Sequence, residues 1–210
     1  NRPDGKPGFN ADLKAETHNQ FELGVQGSVF QKKTNWSMNI FYNQISAIKI
    51  GEESSIQAGR TVYKNAGEAE IKGLEWFINQ DVFSNQRIHL SGTLMQTRLN
   101  NDENDETQIP GLPKYMIKSY YEFSIKSFSG LIEYQGMGKQ FADSENKVEI
   151  KPWQIVSTQL SYTKKRFTYF IRVSNIFDEN YTASVSVNSV SGRYYEPASN
   201  RNWLIGIRFS

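Results

Sequence analysis

The sequence contains no cysteine among its 210 residues. Disulfides and thiolate metal sites are therefore excluded, and the absence is compatible with an oxidising envelope compartment. The two histidines, His18 and His89, have no partner at a metal-ligand spacing, so we predict polar strand residues rather than a metal site. The net charge is only +2 and the longest basic stretch is residues 164–166, which argues against nucleic-acid binding.

Long apolar runs are also missing. No stretch approaches the roughly 18–20 residues of a transmembrane helix, which excludes a helical membrane protein. The mean hydropathy of −0.60 still allows a membrane barrel, because a spanning strand needs only about 9–11 residues with every second one apolar. Residues 1–9 are polar and lack the apolar core of a signal peptide. We therefore expect the chain to begin within a longer protein.

Alternation of apolar and polar residues with a period of two dominates the chain and predicts an all-β fold. Phe21, Leu23 and Val25, for example, alternate with polar or small neighbours. No segment has the pattern of an amphipathic helix. Nine strands are predicted, at residues 17–30, 34–48, 61–83, 86–99, 113–127, 130–141, 151–163, 166–177 and 200–209.

The connections between these strands alternate between short and long. The long ones are rich in polar residues, at 51–59, 100–113, 141–150 and 178–200. In an up-and-down antiparallel sheet, alternate connections emerge at opposite ends, and outer-membrane barrels have short periplasmic turns and long external loops. Soluble β-sandwiches have no reason to separate loop lengths in this way. The pattern predicts an antiparallel up-and-down transmembrane β-barrel.

The strand count indicates that this is part of a barrel. Bacterial single-chain barrels usually have an even number of strands, so nine implies that an odd number precedes them. A 22-stranded plugged barrel would need about 13 more strands.

Several segments, in this order, carry a family resemblance. Residues 10–17 and 21–24 read NADLKAET and FELG, residues 63–75 read YKNAGEAEIKGLE, residues 109–113 read IPGLP, residues 172–181 read RVSNIFDENY, and the final loop and strand read GRYYEP at 192–197 and RNWLIGIRF at 201–209. Together they resemble the TonB-dependent receptor family of outer-membrane proteins. Two departures are Ala15 in place of the usual proline and Ser210 after Phe209, since members usually end in an aromatic residue read by the barrel-assembly machinery.

The resemblance implies that residues 1–210 are the C-terminal part of a plugged, 22-stranded barrel whose plug and earlier strands lie upstream. It further implies a receptor in the bacterial outer membrane that imports a scarce nutrient with energy from the TonB complex. The GRYYEP segment at residues 192–197 resembles the iron-siderophore branch of the family more than the glycan-importing branch, so it favours a ferric siderophore as the cargo. The implied partners are outer-membrane lipid, the receptor's own plug, the siderophore and TonB, the last contacting an upstream TonB box; no cofactor is implied.

External loops are the expected place for ligand binding. Ferric siderophores are often anionic and carry aromatic groups, so arginine and aromatic side chains suit them. Arg193, Tyr194 and Tyr195 in the last long loop are the first candidates, with Arg60 and Tyr63 behind them. The alternative is that these five are ordinary loop and strand residues.

Other residues have predicted places in the barrel wall. Asparagines 65 and 175 lie where strands meet loops and can satisfy backbone groups there, while glycines 67 and 73 suit a bulge or bend. The predicted membrane-interface aromatics are Trp36, Tyr42, Trp76, Tyr169 and Trp203, with the core of a soluble sandwich as the alternative. The residues expected to face the plug or water inside the barrel are Gln20, Glu22, Asn39, Asn43, Lys118, Glu122 and Arg172.

No enzyme is predicted. The acidic run of Asp102, Glu103, Asp105 and Glu106 lacks the ordered spacing of a calcium loop, and residues 136–138 lack the helix and lysine of a nucleotide loop. Two other functions remain open: a passive porin or adhesin-type barrel, and a soluble β-sandwich that binds carbohydrate.

Overall fold

A computed structural model describes residues 10–31, 33–65, 67–100, 106–189 and 191–209. Within these ranges the fold is all-β, as predicted, and no helix is long and apolar enough to cross a membrane. The strands are β1 (Thr17–Val29), β2 (Thr34–Ser46), β3 (Lys49–Glu53), β4 (Thr61–Asn65), β5 (Glu68–Phe83), β6 (Gln86–Asn100), β7 (Glu106–Thr107), β8 (Tyr115–Ile125), β9 (Phe128–Met137), β10 (Gln140–Phe141), β11 (Glu149–Ile150), β12 (Trp153–Lys164), β13 (Phe167–Ser174), β14 (Thr182–Val185), β15 (Tyr195–Pro197) and β16 (Asn202–Phe209).

Nine long strands form one antiparallel sheet in chain order. The order is β1-β2-β5-β6-β8-β9-β12-β13-β16, and the short β7 adds to β6. Each long strand pairs with the next long strand, so the topology is up-and-down and the nine predicted strands are confirmed. The tight turns lie at one end of this sheet, and the long connections lie at the other.

Several predicted strands are shorter than expected. The strand predicted over 113–127 covers Tyr115–Ile125, and those predicted to end at 141 and 177 end at Met137 and Ser174. The prediction of one strand over 34–48 is wrong beyond Ser46, because Ala47 takes a left-handed conformation with φ of 57°. The prediction over 61–83 is likewise interrupted, with β4 ending before Gly67, whose φ is 49°. A left-handed residue turns the chain out of an extended strand. The β3–β4 hairpin consequently leaves the main sheet.

Gly73 is not at a bulge, one of the two roles (bulge or bend) that were predicted for it. It pairs in unbroken register with Phe41 on one side and Met95 on the other. The one register shift of the β5–β6 ladder lies between Asp81 and Phe83, beside the tight turn.

The register gives the sheet two different faces. Leu23, Ile40, Leu74 and Leu94 are successive partners across four strands and define what we call the outer face. Most exposed large apolar side chains of the sheet lie on this face, among them Phe21, Val25, Met38, Ile132, Leu160, Tyr169, Trp203, Ile205, Ile207 and Phe209. Such a continuous apolar surface in contact with solvent is atypical of a soluble protein.

The opposite, inner face is mostly polar. Asn39 pairs with Glu75, which in turn pairs with Thr93. All seven residues that were expected inside the barrel fall on this face, namely Gln20, Glu22, Asn39, Asn43, Lys118, Glu122 and Arg172. The alternation in the sequence therefore becomes a separation of two surfaces, since successive side chains of a strand point to opposite faces.

Aromatic rings cover glycines on neighbouring strands. A Cβ built on Gly73 would lie 2.6 Å from Phe41 Cζ and 2.3 Å from the carbonyl oxygen of Leu94. Trp76 lies in the same way against Gly92, where the separation would be 2.7 Å. Because glycine has no side chain, the ring has room to lie over the glycine backbone. This contact helps to fix the register of the two strands.

We expect Gly73→Ala to destabilise the full-length barrel by about 1–3 kcal/mol, because the methyl group would meet a backbone carbonyl that cannot move away. The matched control is Gly24→Ala on the same face, where the nearest atom to the new Cβ would be Asn39 Oδ1 at 3.4 Å. The measurement is the temperature at which folded, heat-modifiable migration on a gel is lost. Equal temperatures for the two variants would show that ring-over-glycine packing is unimportant.

Candidate functional site

The first group of external residues combines segment 10–16 with the β3–β4 hairpin. Asn65 holds them together, since its Oδ1 accepts the Lys14 amide at 2.8 Å and its Nδ2 donates to the Ala47 carbonyl at 2.6 Å. Asn10 Nδ2 donates to the Tyr63 carbonyl at 3.2 Å. These side chains supply hydrogen-bond partners for backbone groups that no neighbouring strand satisfies. We call this unit the first loop group.

Three later connections form a second loop group. They are residues 106–114, 138–150 and 182–197. Asn146 accepts the Gln108 amide at 2.6 Å and donates to the Gln108 carbonyl at 2.9 Å. Asn188 similarly exchanges hydrogen bonds with Ser144, accepting its amide and donating to its hydroxyl, both at 2.9 Å. Each asparagine therefore ties one long connection to the next.

The final connection is fixed where it leaves the sheet. Asn175 is 2% exposed, and its side chain accepts the Glu179 amide at 2.9 Å and donates to the Glu179 carbonyl at 2.8 Å. Its φ of 53° is a conformation that asparagine tolerates better than most residues. The prediction that Asn65 and Asn175 satisfy backbone groups at strand–loop junctions is confirmed.

A small buried cluster lies on the inner face at the loop end of the sheet. Ile45, Ala69 and Leu99 are buried on three neighbouring strands, and Ile48 and Ile109 pack against them from the connections. Burial of these side chains fixes residues 106–114 over the inner face rather than beside it.

A cleft of about 470 Å³ separates the two loop groups. Lys49 and Tyr63 line it from the first group, and residues 186–189 line it from the second. Its lining also includes Leu99 and Ile109 of the buried cluster. The cleft therefore has an apolar floor, a lysine and a phenol on one side, and mainly neutral polar groups on the other.

One of the five predicted ligand residues lines this cleft. It is Tyr63, which is 46% exposed. Arg60 instead donates from Nη1 to Gln57 Oε1 at 2.6 Å, within its own hairpin. Residues 193–195 belong to the β14–β15 hairpin, where Tyr194 accepts the Ser186 amide through its carbonyl at 2.8 Å. The ligand-binding role of all five stays a prediction.

Sequence reasoning missed Lys49. It lies between a predicted strand and a predicted loop, and only the β3–β4 hairpin brings it to the cleft. Its amide donates to Glu16 Oε1 at 2.6 Å, which fixes the start of the hairpin. The only feature of the sequence that could have indicated a binding role for Lys49 is its position, as a basic residue, where a strand meets a loop.

A second hollow, of about 450 Å³, lies on the inner face and is lined by Asn39, Glu75, Phe77 and Lys118, among others. Lys118 Nζ lies 3.1 Å from Glu133 Oε1 on the neighbouring strand. A partly exposed ion pair of this kind contributes little stability. The hollow therefore combines a weakly held pair of charges with the apolar side chains around it.

The His89 ring packs against two aromatic rings on the inner face. Its ring stacks on Tyr120 with centroids 4.4 Å apart and meets Phe77 edge-on at 5.0 Å. Its Nδ1 lies 2.6 Å from Asn79 Oδ1. Among the described residues, no group of three His, Cys, Asp or Glu side chains could hold a metal ion.

Of the acidic run, Asp102, Glu103 and Asp105 lie outside the described residues. Glu106 Oε1 is 3.4 Å from Arg98 Nη1 and both are well exposed. The interpretation of this run as an acidic loop therefore rests on the sequence alone.

The five predicted interface aromatics all lie on the outer face but at different heights. Trp36 and Tyr169 lie near the tight-turn end, whereas Trp76 lies in the middle of β5. Tyr42 donates its hydroxyl to Glu70 at 3.1 Å near the loop end, and Trp203 is 61% exposed on β16. Their membrane-interface role stays a prediction.

Further exposed aromatics cluster at the tight-turn end and were not predicted. They include Phe30, Phe83, Phe128, Tyr162, Phe167 and Phe209. Phe167 and Phe209 are partners on adjacent strands, with ring centroids 5.3 Å apart. This band is positioned like an aromatic girdle of a membrane barrel.

Comparison with known proteins identifies the family. Residues 1–176 match the family model described as TonB dependent receptor-like, beta-barrel. The chain belongs to the TonB-dependent receptor family. The two-faced sheet is accordingly part of the family's barrel, and the resemblance carried by the sequence motifs is confirmed.

Solved structures share this fold at low sequence identity. The ferric yersiniabactin uptake receptor FyuA from Yersinia pestis is 17% identical over 97% of this chain, with a TM-score of 0.78. The ferric-catecholate import receptor Fiu from E. coli K12 is 16% identical over 95%, with a TM-score of 0.72. The copper transporter OprC is 17% identical over 95%, with a TM-score of 0.73. The chain spans 32%, 28% and 32% of those three chains, respectively.

Loss of the Asn175 side chain should loosen the final connection. Asn175→Ala removes two hydrogen bonds and places alanine at a positive φ, which together favour local opening by roughly 2 kcal/mol. Limited proteolysis of the purified full-length receptor in detergent should then cut the 175–201 connection roughly thirtyfold faster. The control is Asn200→Ala, an exposed asparagine in the same connection. Equal cutting rates for both variants would contradict the anchoring role.

Proposed function

We propose that this chain is the C-terminal part of the barrel wall of an outer-membrane receptor. The complete receptor takes up a ferric siderophore into the periplasm with energy from the TonB complex. In this proposal residues 1–210 supply barrel strands, external loops and the final strand, whose Phe209 serves as the assembly signal. The plug, the earlier strands and the TonB box belong to upstream sequence.

The observation that carries this proposal is the exposed apolar outer face. Side chains such as Phe21, Ile40 and Ile207 are each more than half exposed on one face of a sheet whose other face is polar. In water such a surface would drive aggregation, whereas in a bilayer it is solvated by lipid. Membrane strands also need every backbone group paired between strands, which a meander provides once it is closed into a barrel.

The inner face supports a plugged barrel. The hollow around Asn39, Glu75 and Lys118 offers hydrogen-bond donors and acceptors beside apolar side chains such as Phe77. In this proposal it contacts the plug or the water around it. A passive porin-type barrel remains the second candidate for the same wall, and the experiment below separates the two.

The cargo is inferred from chemistry at the loop end. Anionic ferric complexes with aromatic groups suit lysine, arginine and tyrosine, which the external connections offer at Lys49, Tyr63, Arg193, Tyr194 and Tyr195. Solved receptors of similar fold include importers of ferric catecholate and of ferric yersiniabactin, which makes a siderophore the first cargo to test.

The membrane placement can be tested with one pair of neighbouring residues. Ile40 and Asn39 lie in the middle of β2 on opposite faces. We expect Ile40→Lys to cost roughly 2–4 kcal/mol, because it places a charge in the lipid midplane. Asn39→Lys places the same charge on the inner face and should be tolerated. The measurement is the amount of heat-modifiable full-length protein in the outer-membrane fraction; equal amounts for both variants would contradict a lipid-facing outer face.

Transport can be tested by growth under iron limitation. A strain lacking the full-length gene is supplied with an anionic ferric tris-catecholate or a neutral ferric trihydroxamate as the sole iron source. We expect the restored wild-type gene to support growth on at least one, and only where TonB is present. Growth that persists without TonB would favour the porin-type alternative, and growth that never depends on the gene would overturn siderophore uptake.

A further inference from the structure

We propose that the cleft between the two loop groups binds the cargo, and that Lys49 and Tyr63 make it a site for an anionic ligand with aromatic groups. This inference rests on the proposed function, because it concerns the ligand of the same receptor. It moves the expected site from the last loop, at Arg193 and its neighbours, to the boundary between the β3–β4 hairpin and residues 186–189.

The position of the cleft is the first argument. Its floor includes Leu99, whose side chain lies on the same inner face as the hollow around Asn39 and Lys118. A ligand in the cleft would therefore lie over the loop end of the barrel interior, on the path from outside to inside. Hairpin residues 193–195 do not line this cleft.

The charge of the cleft is the second argument. Among its lining residues that the structure describes, Lys49 is the only charged side chain. The polar residues among the others carry hydroxyl or amide groups, as in Thr61, Tyr63 and residues 186, 188 and 189. The carboxylate of Glu16 accepts the Lys49 amide but lies outside this lining. A cation with no carboxylate in the same lining attracts an anion, and the effect is larger where the lining is partly apolar.

The shape and apolar content of the cleft are the third argument. A volume of about 470 Å³ lies in the usual range of a small-molecule site. Leu99 and Ile109 belong to a buried cluster, so the floor is rigid and pre-formed. Tyr63 is half exposed at the side and can stack on a flat ring. A ferric complex with catecholate rings matches these features better than a neutral sugar chain does.

Each wall of the cleft is a separately assembled unit. Asn65 ties the first loop group together, while Asn146 and Asn188 tie the second. The hydrogen bonds of these asparagines lie within a group, and the cleft lies between the groups. A ligand in the cleft would therefore contact two units that hydrogen bonds already hold in shape.

The first test compares two lysines on the external connections of the full-length receptor. Lys49→Gln should weaken uptake of an anionic ferric tris-catecholate, raising its apparent KM roughly tenfold or more, since a charge-assisted contact is lost. Lys49→Arg should keep most of the affinity. Lys151→Gln makes the same charge change at an exposed position outside the cleft and should behave like wild type. All variants are checked for equal amounts of heat-modifiable protein.

The second test blocks the cleft without changing its charge. These 210 residues contain no cysteine, so Ser189→Cys and Ser199→Cys each add one thiol to this part of the receptor, inside and outside the cleft and in the same connection. The wild-type receptor, treated in the same way, is the control for any thiol elsewhere. Treatment with a bulky, neutral thiol reagent should abolish uptake in the first variant and leave the second unchanged. Full uptake by the blocked Ser189→Cys protein would overturn the cleft as the site.

The outcomes separate this inference from the proposed function. If the wild-type receptor transports the tris-catecholate and the blocked Ser189→Cys protein matches it, the cleft inference fails while the transport function stands. If only Lys49→Gln matches it, the assignment of Lys49 to the anion is overturned. If the wild-type receptor transports only the neutral trihydroxamate, the assignment of an anionic ligand is overturned. If it transports neither, the proposed function fails and the cleft inference fails with it.

Discussion

The structure depends on one constraint, the continuous cross-strand register of the nine long strands. Every second side chain of a strand faces the same way, so a slip of one residue would exchange the apolar and polar faces completely. The register is held by backbone pairing and by rings that occupy glycine positions, such as Phe41 over Gly73 and Trp76 over Gly92. Because these glycines lack side chains, each ring fits best against its own partner.

At the loop end of the sheet, backbone groups also need hydrogen-bond partners, but side chains supply them. Irregular connections have backbone groups that no ladder satisfies. Here the side chains of Asn65, Asn146, Asn175 and Asn188 bond the backbone groups that would otherwise lack a partner. The loops consequently form two assembled groups instead of independent segments, and the boundary between the groups becomes the cleft that we assign to the ligand.

Much of the wall could be predicted because its signal is local. The alternation of residues such as Phe21, Leu23 and Val25 predicts a two-faced strand without information about the strand it pairs with. All nine long strands were predicted from this alternation. The strand ends at Ser46 and Asn65 were placed less well, since left-handed residues beside them turn the chain and carry little sequence signal. The short hairpins escaped prediction for a related reason, because strands such as β10 and β11 have only two residues.

The sequence by itself determined the all-β class, the alternation of short and long connections, the family resemblance and the two sets of side chains for the two faces. These properties follow from period-two patterning and loop length, which act within a few residues. Only the tertiary structure decided that Tyr63 and Lys49 share a cleft with residues 186–189, while Arg60 contacts Gln57 in its own hairpin. That arrangement joins segments more than a hundred residues apart, and it depends on long-range hydrogen bonds and burial that no local pattern encodes.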